Sequence, residues 1–237
     1  MTAMGVGASF YQAFRASTLN ELYRGFGFAG CSFLPNENLN PERLIGGDAK
    51  LEIDLIPNGR LTLRMVGLHD EIKDHIHFDS QDRVTAHRQN VGRTTTDGDD
   101  ITLTDKPTEW LGLNLGYDYA HSMITSFPQD RSREGKAVPN VSPHQVIAGV
   151  TIGEVTGLQV TVMARYLSRQ FADDLNTQPI GDFVVLDASI QQQLTKHWRV
   201  MLDAENLTDR QYIATQTGPI KTLGAPLLIL ARLRAEY

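Results

Sequence analysis

The chain has 237 residues, a formal charge of −6, a pI near 5.6, 41% apolar residues and a mean hydropathy of −0.26. An acidic chain without a Lys/Arg run excludes a general nucleic-acid binder, and no apolar stretch reaches the roughly 18 residues that a spanning helix needs. The low average leaves a membrane β-barrel open, because only every second residue of such a strand has to be apolar.

The first ten residues, Met1 to Phe10, show no basic region and no apolar stretch before a small-residue cleavage site, so no export signal is read there. They alternate like a strand, which favours a piece of a longer chain over a chain whose signal was removed. Cys31 is the sole cysteine and excludes an intramolecular disulfide. Leu51, Ile53 and Leu55 oppose Lys50, Glu52 and Asp54. Asp70, Glu71 and Asp74 read as a polar strand end rather than a catalytic carboxylate pair, since nothing splits their pKa values. His75 and His77 share a face if the strand continues, which makes them a weak metal pair; without a third ligand a solvated rim is the preferred reading.

Alternation continues downstream. Leu111, Leu113, Leu115, Tyr117 and Tyr119 oppose Gly112, Asn114, Gly116 and Asp118. Between Gly157 and Arg169, Leu158, Val160, Val162, Ala164 and Tyr166 oppose Gln159, Thr161, Arg165 and Arg169. Val184, Leu186, Ala188 and Ile190 oppose Asp187, Ser189 and Gln191; Trp198, Val200, Leu202 and Ala204 oppose Arg199, Asp203 and Glu205. The last strand sets Leu227, Ile229, Ala231, Leu233, Ala235 and Tyr237 against Arg232, Arg234 and Glu236. A period of two, one row apolar and one polar, describes a strand between grease and water.

A soluble sandwich alternates too, so connection lengths have to decide. Short links near Pro57-Asn58-Gly59, Lys106-Pro107-Thr108, Glu154-Val155-Thr156 and Leu194-Thr195-Lys196 alternate with long ones. The long ones run from Ser17 to Leu44, Phe78 to Asp82, Thr125 to Ser142, Ala172 to Ile180 and Thr208 to Ala225. This predicts an all-β, antiparallel up-and-down transmembrane barrel segment of about ten strands, with short turns on one rim, long loops on the other and both chain ends on the short-turn side. Trp110, Tyr119, Tyr166, Trp198 and Tyr212 are expected at an interfacial girdle.

Several stretches resemble the TonB-dependent outer-membrane receptors in the C-terminal part of their barrel. Phe14-Arg15-Ala16-Ser17-Thr18-Leu19-Asn20-Glu21-Leu22-Tyr23 resembles the family's strand-to-loop segment, with Ser17 where proline is usual. Asn36 to Arg43, Asn90 to Arg93, Gly135 to His144 and Glu205 to Tyr212 are similar to further family motifs, in the family's order. Gly98-Asp99-Asp100 departs from a Gly-aliphatic-Glu step by placing an acid where an apolar residue is usual.

The resemblance implies a 22-strand parent barrel, with residues 1–237 as its C-terminal portion and the plug domain and earlier strands absent. It implies no enzyme and no cofactor, a location in the outer membrane of a diderm bacterium, and uptake of a siderophore, cobalamin or similar scarce nutrient. The implied partners are the TonB energy-coupling complex through the missing plug, the barrel-assembly machinery, outer-membrane lipid and a small-molecule or metal-chelate ligand. The assembly machinery would read the last strand through Tyr237, Leu233 and Ile229. Ligand contacts belong on the lumen or outer rim, where Arg165, Arg169, Asp173, Asp174 and Tyr23 are candidates. A complete small barrel acting as a passive pore, adhesin or rim-sited hydrolase is the alternative; no catalytic set shows itself by strand position, and only the family motifs argue against the passive forms.

Overall fold

The alternating segments form long strands in a computed structural model, which describes residues 3–28, 30–80, 85–90, 92–154, 156–217 and 220–235. In chain order the wall strands are β1 (Met4–Arg15), β2 (Glu42–Ile56), β3 (Leu61–Lys73), β4 (Arg93–Thr108) and β5 (Leu111–Ser126). They continue as β6 (His144–Gly153), β7 (Leu158–Leu167), β8 (Phe183–Gln193), β9 (Trp198–Glu205) and β10 (Leu228–Ala235). Each is antiparallel to its sequence neighbour, giving one ten-stranded sheet edged by β1 and β10.

Register explains why the apolar row becomes a continuous surface. Val6, Leu51, Met65, Ile101, Tyr117, Val146, Tyr166 and Val184 are successive cross-strand partners from β1 to β8. Directly opposite residues point to the same face, so one slip of register would turn this row inward. Its members include Val6, Met65 and Val184, which remain exposed. A soluble protein rarely exposes so broad an apolar face, whereas lipid removes it from water at roughly 25 cal/mol per Å².

The next row toward the long loops is Ala8, Ala49, Gly67, Asp99, Tyr119 and His144. Asp99 therefore leaves the register intact and stands just above the last continuous apolar row. Trp110 and Trp198 lie at the short-turn rim, and Tyr119 and Tyr166 lie toward the other, as a girdle requires. Tyr212 does not join them: it sits in the loop after β9, its ring stacked on Phe183 at 4.0 Å. That ring occupies the space a side chain on Gly224 would need.

The links 57–60, 109–110, 154–157 and 194–197 are short, and 16–41, 74–92, 127–143, 168–182 and 206–227 are long. The first short turn places Asn58 and Gly59 at φ near 65°, a left-handed conformation those two residues accept readily. The second long link is wider than the sequence indicates. Ile76–Ser80 and Thr85–Asn90 leave the wall: they pair with each other, and Thr85–Asn90 also pairs in parallel with Cys31–Leu34. The alternation of Ile76 and Phe78 with His77 and Asp79 is that of a wall strand, and a local period does not say which sheet a strand joins.

Among the described residues, the buried apolar side chains gather at the long-loop rim. Ile124, Phe127, Ala172, Ile180, Phe183 and Val185 are all enclosed there. Among the described residues no second sheet packs against the wall, so its enclosed packing begins where loops fold over its upper edge.

Candidate functional site

The family-like segment after β1 builds the first brace. Thr18 caps the short helix Leu19–Tyr23 by accepting from the Glu21 amide, and the Glu21 carboxylate accepts in return from the Thr18 amide at 2.7 Å. The same carboxylate pairs with Arg15 at 3.0 Å and Arg88 at 3.4 Å. Arg15 also pairs with Glu42 at 2.6 Å, the acid at the start of β2. Burial raises the proton affinity of Glu21, but the bonds from Thr18 and Arg15 outweigh it and hold the carboxyl below its ordinary range. Asn90 joins the two loops by accepting from the Asn40 amide at 2.7 Å and donating to the Asn40 carbonyl at 2.9 Å.

The other three long loops form a second braced unit. The Asn176 side chain accepts from the Ala137 amide at 2.8 Å and donates to the Ala137 carbonyl at 3.0 Å. Arg133 meets Asp174 at 2.8 Å and lies over the Phe127 ring at 4.5 Å. The Gln170 amide donates to the Ala214 carbonyl. Asn206, 2% exposed, donates to the Arg210 and Ala225 carbonyls and accepts from the Arg210 amide, while its own N–H donates to Asp187 at 2.8 Å. This asparagine belongs to the most specific of the family-like motifs and closes the 206–227 loop at its base.

Beneath that loop the lumen-facing row of β7 to β10 lines a recess of about 490 Å³. Arg165, Asp187, Asp203, Glu205 and Arg232 bring charge to it; Met163, Val185, Leu230 and the Tyr212 ring supply apolar wall. Arg232 binds Asp203 at 2.6 Å. Arg165 and Glu205 make no side-chain hydrogen bond or ion pair with the described residues.

The sequence candidates are therefore distributed. Arg165 lies in the recess, and exposed Arg169 lies two residues beyond the end of β7. Asp173 shapes its own loop, accepting from the Thr177 and Gln178 amides at 2.9 and 2.7 Å. Burial opposes its charge, and these bonds more than offset it, leaving the carboxyl below its ordinary range. Asp174 is held by Arg133. Tyr23, 62% exposed, stands at the rim on the other unit. His75 is 3.3 Å from Glu42; the His77 side chain lies outside the described residues, and among those described no group of three His, Cys, Asp or Glu gathers for a metal. Leu233 and Ile229 project on the outer row of β10, 63% and 60% exposed, and Tyr237 lies outside the described residues.

Sequence reading missed Tyr212 and Asn206 as site residues. The motif signalled both, but their inward contacts depend on the 206–227 loop folding back over β8.

Comparison with known proteins agrees with this architecture. The family model described as "TonB dependent receptor-like, beta-barrel" matches residues 6–207. A curated relative, the probable TonB-dependent siderophore receptor PiuA of Acinetobacter baumannii, is 26% identical over 132 residues, covering 52% of this chain and 18% of that protein. The crystal structure of PiuA superposes with a TM-score of 0.73 at 20% identity, covering 98% of this chain and 34% of PiuA. The copper transporter OprC gives a TM-score of 0.75 at 17% identity, covering 97% and 36%. The ferric enterobactin receptor PfeA of Pseudomonas aeruginosa gives 0.73 at 14% identity, covering 98% and 38%. The chain thus spans little more than a third of these structures. With the family model matched over most of its length, the chain belongs to the TonB-dependent receptor β-barrel family and is an outer-membrane protein of Gram-negative bacteria.

Proposed function

We propose that these ten strands are the C-terminal part of a 22-strand barrel in an importer of a siderophore, cobalamin or similar scarce nutrient. Membership of the receptor family carries this reading. The open edges at β1 and β10 support a wall completed by further strands, since unpaired strand edges are costly in lipid. A plug inside that barrel would couple it to the TonB energy-coupling complex. The barrel-assembly machinery would read β10 through Leu233 and Ile229, together with Tyr237. The ligand, a small molecule or metal chelate, would meet Arg165, Arg169 and Tyr23, with Asp173 and Asp174 shaping the loop beside Arg169 and contributing acceptors at its surface.

The test is uptake of labelled ferric siderophores and cobalamin by cells carrying the receptor that contains this chain. Uptake is expected to stop when a protonophore collapses the proton-motive force. Uptake that continues undiminished would assign a passive pore, and no uptake of any solute in the panel would remove the importer reading for those nutrients.

A further inference from the structure

The recess under residues 206–227 has a charge pattern that differs from a simple anion site. Arg232 and Asp203 neutralise each other at 2.6 Å. Among the described residues, no ion pair engages the Arg165 guanidinium, the Glu205 carboxylate or the second oxygen of Asp187, whose first oxygen accepts the Asn206 N–H. A purely anionic group entering the recess meets Arg165 but also two carboxylates with no cation of their own. A pure cation meets the reverse. A group that carries an acid and an amine satisfies both, each through a charge-assisted hydrogen bond. The remaining wall combines the apolar Met163, Leu230 and the Tyr212 ring, fixed by its stack on Phe183, with the hydroxyls of Thr161 and Ser189. A volume of about 490 Å³ falls within the usual range of small-molecule sites.

From this complementarity we infer that the recess seats a compact zwitterionic group, an acid and an amine on an apolar or aromatic body, of the kind an amino-acid-like end of a ligand presents. The inference rests on the import reading, because it names the part of a ligand that the lumen wall would recognise. Asn206 acts as a positioning residue: it holds the loop that carries Tyr212 and fixes one oxygen of Asp187, leaving the other free.

Three probes with one body separate the possibilities: L-phenylalanine has both charges, 3-phenylpropionate only the acid, and 2-phenylethylamine only the amine. Saturation-transfer NMR on the receptor that contains this chain, in detergent micelles, reads all three through their ring protons. Phenylalanine is expected to bind about tenfold more tightly than either analogue, the equivalent of one further charge-assisted bond. Arg165→Gln should bring phenylalanine down to the level of the amine; Glu205→Gln or Asp187→Asn should bring it toward the level of the acid. Asp187→Asn keeps an oxygen for the Asn206 N–H, and heat-modifiable electrophoretic mobility checks that each variant folds. Tighter binding of phenylpropionate than of phenylalanine, or equal binding of all three, overturns the inference. Absence of binding by all three in folded protein overturns it as well. Each of these outcomes leaves the protonophore test of import to stand or fall separately.

Discussion

Asn140 and Gln216, 76 positions apart, hold each other by a reciprocal pair of hydrogen bonds. The Asn140 amide donates to the Gln216 carbonyl at 3.1 Å, and the Gln216 N–H donates to the Asn140 side-chain oxygen at 3.0 Å. A side-chain amide used in this way imitates a strand partner and ties the 127–143 loop to the 206–227 loop. Removing it takes one hydrogen-bond partner each from the Gln216 N–H and carbonyl, at about 0.5–1.5 kcal/mol per bond. Asn140→Gly keeps the backbone at its φ of 58° while deleting the amide. Hydrogen exchange around residues 213–217 is expected to quicken, with exchange in β3 and β4 unchanged.

Glu21 is the anchor of the other braced unit. Glu21→Gln removes the charge that Arg15 and Arg88 share and weakens the return half of the helix cap. Because Arg15 is about half exposed and keeps Glu42, the expected loss is modest, about 1–2 kcal/mol. Limited proteolysis should then open residues 16–41 before the wall strands.

Asp173 gives the 168–182 loop an acid-sensitive element. Its carboxyl sits below the ordinary aspartate range in the folded state, so the loop gains stability above the unfolded value of about 4. That contribution is lost as pH falls from there through the depressed folded value. Hydrogen exchange at Thr177 and Gln178 should accelerate on acidification through that window. Asp173→Asn should exchange faster at neutral pH and show a smaller acid response.

The wall was largely legible in the sequence because a strand between lipid and water writes a two-residue period into its side chains. Leu158 to Tyr166 and Val184 to Ile190 are on the faces their alternation indicates. Ile76–Ser80 alternates as the wall strands do yet pairs outside the wall, since local alternation does not say which sheet a strand joins. The rim was harder. Asp173 and Asp174 look like free acids in the sequence, yet one shapes its own loop and the other meets Arg133, which lies on a different loop. Tyr212 reads as a girdle aromatic until its stack on Phe183 is seen. Such contacts between distant loops carry no local period.

The two faces of β8 provide the most direct measurement. In a Cys31→Ser background, cysteine is placed at Val184, Leu186 or Ile190 on the apolar row, and at Asp187 or Ser189 on the lumen row. The receptor that contains this chain, in lipid bilayers, is then exposed to a charged, water-soluble thiol reagent. The first three are expected to resist labelling while the last two react; labelling of the apolar row with protection of the lumen row would contradict the assignment of this wall to the membrane.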